Sequence, residues 1–134
     1  MSLRTVALVY GIVFLLVGVA GFVPGFVQTY ELTDPELLIT AGEGYLFGLF
    51  PVNVLHNLTH LLFGVAGLFV YKSLPASLSY LRSIAIVYGV LTVMGLIPVL
   101  NTVFGLVPLH GHDVWLHLVL AGGAAYFGFA ARTA

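Results

Sequence analysis

The chain has 134 residues, of which 60% are hydrophobic and 7% are charged, and its mean hydropathy is +1.12. Soluble globular domains carry roughly 25% charged residues, so this composition excludes an ordinary soluble domain and predicts an integral membrane protein. Four Lys and Arg residues and a net charge of -1 leave no basic surface for phosphates, so nucleic acid is not expected as a partner. Because the chain has no cysteine, any bound metal must be held by nitrogen and oxygen ligands.

Four apolar segments are long enough to cross a bilayer, which takes about 20 mainly apolar residues. They run from about residue 5 to 23, from 52 to 71, from 81 to 100 and from 113 to 131. Residues 73–79, between the second and third segments, are predicted to form a short polar turn. We therefore predict an all-α protein, a four-transmembrane-helix bundle that forms a single integral membrane domain over residues 1–134.

An internal repeat relates the two halves of the chain. The stretch LRTVALVYG at 3–11 returns as LRSIAIVYG at 81–89, and GLFPVNVLHNLTHL at 48–61 returns in degenerate form as GLVPLHGHDVWLHL at 105–118. We predict a duplicated helical hairpin, with repeat 1 at about residues 1–72 and repeat 2 at about 79–134. Each repeat crosses the membrane twice, so both enter in the same direction and are related by a pseudo-twofold axis along the membrane normal.

The charged residues indicate the orientation in the membrane. The basic residues all fall on the side of the termini and of the central turn: Arg4, Lys72, Arg82 and Arg132. The acidic residues all fall on the opposite side: Glu31, Asp34, Glu36, Glu43 and Asp113. By the positive-inside rule we expect a multi-pass protein of the cell's inner (plasma) membrane, with both termini cytoplasmic.

The first outer loop carries an insertion, residues 24–48, that has no counterpart in the second repeat. Pro24-Gly25 and Asp34-Pro35 are turn signals, and the large apolar and aromatic residues around them suit a membrane interface. We predict that the insertion forms a short amphipathic cap over the outer end of the bundle. A solvated loop and a re-entrant segment are the alternatives.

A polar stripe runs along the second and fourth segments. Its residues recur at spacings of three and four, so they share one helix face in each segment. The second segment contributes Asn53, His56, His60, Gly64 and Gly67, and the fourth contributes His110, Asp113, His117, Ala121 and Ala124. Small residues permit close helix packing and ionisable groups avoid lipid, so both faces are predicted to line the bundle interior.

The stripe predicts a metal site in the outer half of the bundle. His56, His60, Asp113 and His117 would face one another, and an i, i+4 pair on each of two helices completes four-coordinate binding. Zinc, iron, manganese or copper fit this ligand set. His56 and Asp113 would serve either as ligands or as groups that fix the histidine tautomers. In the outer turn, His110 and His112 are expected to be solvated or to cap a helix, although either can join a site.

Other functions use the same histidines. A haem would take His60 and His117 as axial ligands, with Gly64 and Ala121 leaving room for the ring, and a pigment would take one histidine. Alternatively, the histidines only hydrogen-bond Asn57, Thr59 or backbone carbonyls, in a structural or accessory subunit of a membrane complex. Transport is a third class, for which so small a bundle would need to oligomerise.

The sequence favours a non-enzymatic role, since no serine–histidine–carboxylate arrangement stands out. The lipid bilayer is the expected partner, and a homo-oligomer or a larger membrane complex stays open.

The motif GLFPVNxxHNLxHLLxG, with RxxAxVYG before it and DxxLHL after it, resembles an uncharacterised bacterial family of small four-helix membrane proteins, a domain of unknown function. The likeness covers nearly the whole chain. The residues that match its motif positions are Asn53, His56, Asn57, His60, Asp113 and His117. His110 and Val114 stand where the family pattern tends to asparagine. The resemblance implies a four-helix membrane protein and supplies no activity.

Overall fold

The computed structural model describes residues 1–131, which form four α-helices and a small three-stranded sheet. The helices are α1 Leu3–Ala20, α2 Val54–Val70, α3 Leu74–Leu96 and α4 Asp113–Ala125, and α4 continues as a π-helical turn over Tyr126–Ala130. The strands are β1 Val27–Gln28, β2 Gly44–Leu46 and β3 Phe50–Val52. The prediction of a mainly helical protein is confirmed. The prediction of an all-α fold is wrong, because the structure also contains the small sheet. Arg132 and the end of the predicted second repeat lie outside the described residues.

The third helix begins earlier than the sequence predicted. Residues 74–79 were expected in a polar turn, whereas α3 starts at Leu74 and ends at Leu96. The Ser73 hydroxyl accepts a hydrogen bond from the Ala76 backbone N–H, and Pro75 lies in the first turn, where its missing N–H costs nothing. Ser73 therefore starts the helix, and only a short connection separates α3 from α2.

The insertion folds with the sheet into a cap, which we define as residues 24–52. A single 3-10 turn at Pro24–Phe26 leads into β1, and the strands pair antiparallel in the order β1-β2-β3. The Leu38 and Ile39 backbone N–H groups both donate to the Gly105 carbonyl, at 2.8 and 3.2 Å. The cap is thus tied to the loop between α3 and α4, and β3 leads directly into α2.

Close backbone approach holds α1 against α2. A Cβ atom built on Gly67 would lie 2.5 Å from the Gly11 Cα, and one built on Gly64 would lie 2.7 Å from the Leu15 backbone nitrogen. Gly64 and Gly67 therefore lie where α1 and α2 pack most closely. Their counterparts in the other pair of helices, Ala121 and Ala124, are buried in the hydrophobic core.

The outer surface of the bundle is apolar. Leu3–Ala20, Leu74–Leu96 and Asp113–Ala130 are long and apolar enough to cross a membrane, and α2 is a shorter apolar helix of 17 residues. Large apolar side chains such as Leu16, Leu62 and Val119 are more than half exposed. A soluble protein rarely exposes so much contiguous apolar surface.

Two arginines bind helix ends on the side opposite the cap. The Arg4 Nε donates to the Tyr71 carbonyl at 2.9 Å, where α2 ends, and the Arg82 Nε donates to the Gly128 carbonyl at 2.8 Å, in the π-helical turn after α4. Each cation lies at the negative end of a helix dipole. Each hairpin is therefore closed at this end by an arginine of its own first helix.

Candidate metal centre

Asn53 caps the start of α2 and thereby positions His56, the first candidate ligand. Its Oδ1 accepts a hydrogen bond from the His56 backbone N–H at 2.9 Å, which caps the helix. Its Nδ2 donates to the Ile39 carbonyl at 3.0 Å and to the Leu106 carbonyl at 2.8 Å. One side chain therefore joins the cap, the loop after α3 and the first turn of α2 beside His56.

The structure brings the predicted ligands together. His56, His60 and His117 are buried, and each offers a ring nitrogen such that the three atoms lie within 4.8 Å of one another. The Asp113 Oδ2 lies 3.6 Å from the His56 Nε2 and 3.8 Å from the His117 Nε2. Three imidazoles and one carboxylate thus converge from α2 and α4, which belong to different hairpins.

The spacing of the donor atoms is close to that of a four-coordinate site. Zn–N bonds of about 2.0–2.1 Å place tetrahedral ligand atoms roughly 3.3–3.4 Å apart. The contacts of Asp113 exceed this by only a few tenths of an ångström, and the nitrogens need to close by about 1.5 Å at most. Side-chain rotation supplies such a movement, so the three histidines fit a single ion, and Asp113 lies beside two of them.

The cluster holds polar atoms without partners. Seven buried side-chain atoms lack a hydrogen-bond partner among residues 1–131: His56 Nδ1, Asn57 Nδ2, Asn57 Oδ1, His60 Nδ1, Asp113 Oδ2, His117 Nδ1 and His117 Nε2. Buried polar groups are nearly always paired, and each unpaired one costs about 1–3 kcal/mol. The Thr59 hydroxyl, which we considered as a partner for the histidines, donates to the Leu55 carbonyl instead.

Aromatic rings surround the cluster. The Tyr88 ring meets the His117 ring edge-on at 5.0 Å between centroids, and the Phe14 ring lies 5.9 Å from that of His60. Tyr88 and Phe14 are buried. Tyr88 belongs to the repeated VYG motif, and that motif gives no indication of which neighbour the ring meets.

The space needed for a haem is filled. A Cβ atom on Gly64 would lie 2.5 Å from the Leu15 Cγ, so a side chain of α1 occupies the position beside this glycine. Ala121 is likewise buried. A flat macrocycle between His60 and His117 would have to displace α1, whereas a single ion needs only the movement of side chains.

His110 and His112 lie apart from the cluster. The His110 Nε2 donates at 2.9 Å to the Tyr30 hydroxyl, which itself donates to the Pro35 carbonyl in the cap. His112 is exposed, and its Nδ1 accepts a hydrogen bond from the Trp115 indole at 2.9 Å. Neither belongs to the three-histidine group.

The contact between His110 and the cap is expected to weaken in acid. Partial burial lowers the pKa of His110, and the Asp34 carboxylate offsets this only in part. The unfolded chain protonates this ring near pH 6.5, so below that pH the unfolded state binds more protons and the cap loses stability. Hydrogen–deuterium exchange in residues 24–52, corrected for intrinsic rates, should therefore accelerate from about pH 7.5 to about pH 5.5.

The variant His110→Gln should lose this pH dependence, and His112→Gln should keep it because His112 is exposed. Equal acid sensitivity in His110→Gln and the wild type would contradict the assignment.

Comparison with known proteins gives a family and no activity. No curated protein and no solved structure matches the chain. One family model, the domain of unknown function DUF4383, matches residues 4–130 and so covers the four converging side chains and, apart from Leu3, all four helices. The chain therefore belongs to the DUF4383 family, as its resemblance to a domain of unknown function indicated.

Proposed function

We propose that this chain is an integral membrane protein that binds one transition-metal ion between α2 and α4. His56, His60 and His117 provide the nitrogen ligands, and Asp113 provides an oxygen ligand or holds the histidine tautomers. The observation that carries the proposal is the convergence of these side chains with unpaired polar atoms. Zinc, iron, manganese and copper are the metals that suit imidazole with carboxylate.

Insertion in a bilayer is supported by the apolar surface of the bundle and by the length of its helices. In the orientation that the positive-inside rule favours, both termini face the cytoplasm of the inner (plasma) membrane and the cap faces outward. The metal centre then lies in the outer half of the bundle, beneath the cap. Ionisable groups at this depth mark functional sites in membrane proteins.

The arginine contacts support the proposed repeat. Arg4 and Arg82 occupy equivalent positions in the two copies of the LRxxAxVYG stretch, and their acceptors, Tyr71 and Gly128, each lie ten residues after the end of a copy of the second stretch. Two parallel hairpins related by a pseudo-twofold axis would place α2 and α4 side by side at that axis. A metal ion between them would link the repeats.

A bound ion would also offset the free-energy cost of the unpaired buried atoms. It can take up one donor atom from each of the four residues, and its positive charge compensates the buried Asp113 carboxylate. Among residues 1–131 the other cations, Arg4, Lys72 and Arg82, lie near the opposite helix ends. Tyr71, whose carbonyl binds Arg4, is about 16 Å from His60 along α2 at a rise of 1.5 Å per residue.

The test is elemental analysis of the full chain, purified in mild detergent from cells supplied with zinc, iron, manganese and copper. We expect one ion per chain, retained in the control variant His112→Ala and absent from the double variant His60→Ala/His117→Ala. Folded wild-type protein that carries no metal and binds none of the four when they are added would overturn the proposal. An intense visible band from bound haem would replace the ion with a macrocycle.

A further inference from the structure

One metal ion leaves part of the cluster unpaired. Four protein donors, one from each of His56, His60, Asp113 and His117, are the most that it can engage. Of the seven unpaired buried atoms within residues 1–131, at least three then remain: one nitrogen of His117 and both polar atoms of Asn57. Buried polar groups of this kind are commonly paired by bound water. The remaining unpaired atoms therefore indicate a further small polar ligand in the cluster.

Asn57 lies between His56 and His60 in the sequence of α2, and its amide is held against α1. It is 1% exposed and precedes His60 by one helical turn on α2, so the two side chains are neighbours on the helix surface. A Cβ atom on Gly21, at the end of α1, would collide with the Asn57 amide. The amide is thus clamped between α1 and α2, with one donor group and one acceptor free of partners in the described chain.

The charge of the centre points to the class of this ligand. Three neutral imidazoles and one carboxylate carry a charge of -1, so a divalent ion makes the centre +1. An isolated charge is costly in apolar surroundings, and the neighbouring rings of Phe14 and Tyr88 supply no compensating anion. One monoanion brings the total to zero, whether or not Asp113 coordinates the ion directly.

We propose that a divalent ion in this centre carries one small exogenous monoanion, and that the Asn57 amide donates a hydrogen bond to it. This inference rests on the proposed metal site and adds an open coordination position to it. Three histidines with a fourth position for an exogenous ligand is a known arrangement for divalent metals. Asn57 acts here as a positioning residue for the anion and contributes no ligand to the metal.

The test uses the full chain in detergent, loaded with Co²⁺, with azide as the probe. Elemental analysis first establishes the cobalt content, which tests the metal site alone. Azide should then change the visible cobalt spectrum saturably, with one azide per cobalt and with the cobalt content unchanged. Protein that holds cobalt and whose spectrum does not respond to azide would overturn the anion while leaving the metal site intact.

The variant Asn57→Leu separates the amide from the metal. Leucine has a similar size and no hydrogen-bond donor, so we expect unchanged cobalt content and azide binding weakened by about tenfold, as for one lost hydrogen bond. Thr59→Val is the matched control, since the Thr59 hydroxyl is already bound to Leu55. Equal azide affinity in Asn57→Leu and wild type would remove Asn57 from the proposal. Should Asn57→Leu not fold, Asn57→Ala takes its place, and the wild-type titration needs no variant.

Discussion

Replacing His117 by leucine is expected to abolish metal binding and to stabilise the metal-free protein. The substitution removes one ligand, and metal affinity should fall by at least about a hundredfold, since even the outer partners of metal ligands are worth 10–100-fold. It also removes two buried nitrogens that have no partner within residues 1–131. Unpaired polar groups cost about 1–3 kcal/mol each, and leucine nearly fills the same space.

Competition with a chelator measures the affinity, and thermal unfolding in detergent, with and without the metal, measures the stability. His112→Leu is the control, because that ring is exposed and lies outside the three-histidine group. A metal-free His117→Leu protein less stable than metal-free wild type would favour a histidine that only holds helices together. Opposite shifts in affinity and stability are expected only of a ligand site.

Replacing Gly67 by valine should have the largest effect on folding. The added Cβ would lie 2.5 Å from the Gly11 Cα, 2.9 Å from the Gly11 nitrogen and 2.9 Å from the Tyr80 hydroxyl. Two of these atoms belong to backbone that cannot rotate away, so α1 and α2 must move apart. Overpacking typically costs about 1–3 kcal/mol, and a clash with backbone belongs at the upper end of this range. It should also loosen the face of α2 that carries His56 and His60.

Gly122→Val is the matched control, because a Cβ at Gly122 meets nothing within 4 Å in the described part of the chain. Denaturant or SDS titration in detergent micelles compares the two variants. We expect Gly122→Val to remain within about 0.5 kcal/mol of wild type, as surface substitutions do. Equal destabilisation by both would mean that α1 and α2 are not packed as closely as described.

The ligand cluster could be predicted from sequence because helical periodicity determines it. Residues three and four apart share a face whatever the tertiary structure, so His56 and His60 had to point the same way. The internal repeat then supplied Asp113 and His117 as counterparts. In the structure His56, His60 and His117 form one buried group and Asp113 lies beside two of them, while their role as metal ligands stays a prediction.

The sheet and the start of α3 could not be predicted from helical periodicity. Strands of two and three residues are too short to show an alternation of polar and apolar side chains. At the start of α3, the serines suggested a turn, whereas Ser73 and Pro75 together form a helix start. Local composition does not distinguish the N-terminal capping residues of a helix from a turn, because both use the same residue types.

The repeat also misled at one position. Asn53 and His110 are equivalent in the aligned stretches, yet Asn53 caps α2 while His110 binds the Tyr30 hydroxyl in the cap. The partner of His110 lies in the insertion, which only the first repeat contains. The two aligned stretches therefore differ in their surroundings at this position, and no comparison of their sequences can reveal a contact with a segment that accompanies only one of them.

Trp115 gives the protein an intrinsic fluorophore at an informative place. It is the single tryptophan of the chain, two residues from His117, and its ring meets that of Phe50 in β3 at 5.8 Å between centroids. Its indole also donates to His112. Lifting of β3 from α4 would expose the indole to a different polarity and shift its emission. The packing of the cap against α4 can thus be followed by tryptophan fluorescence in unlabelled, unsubstituted protein.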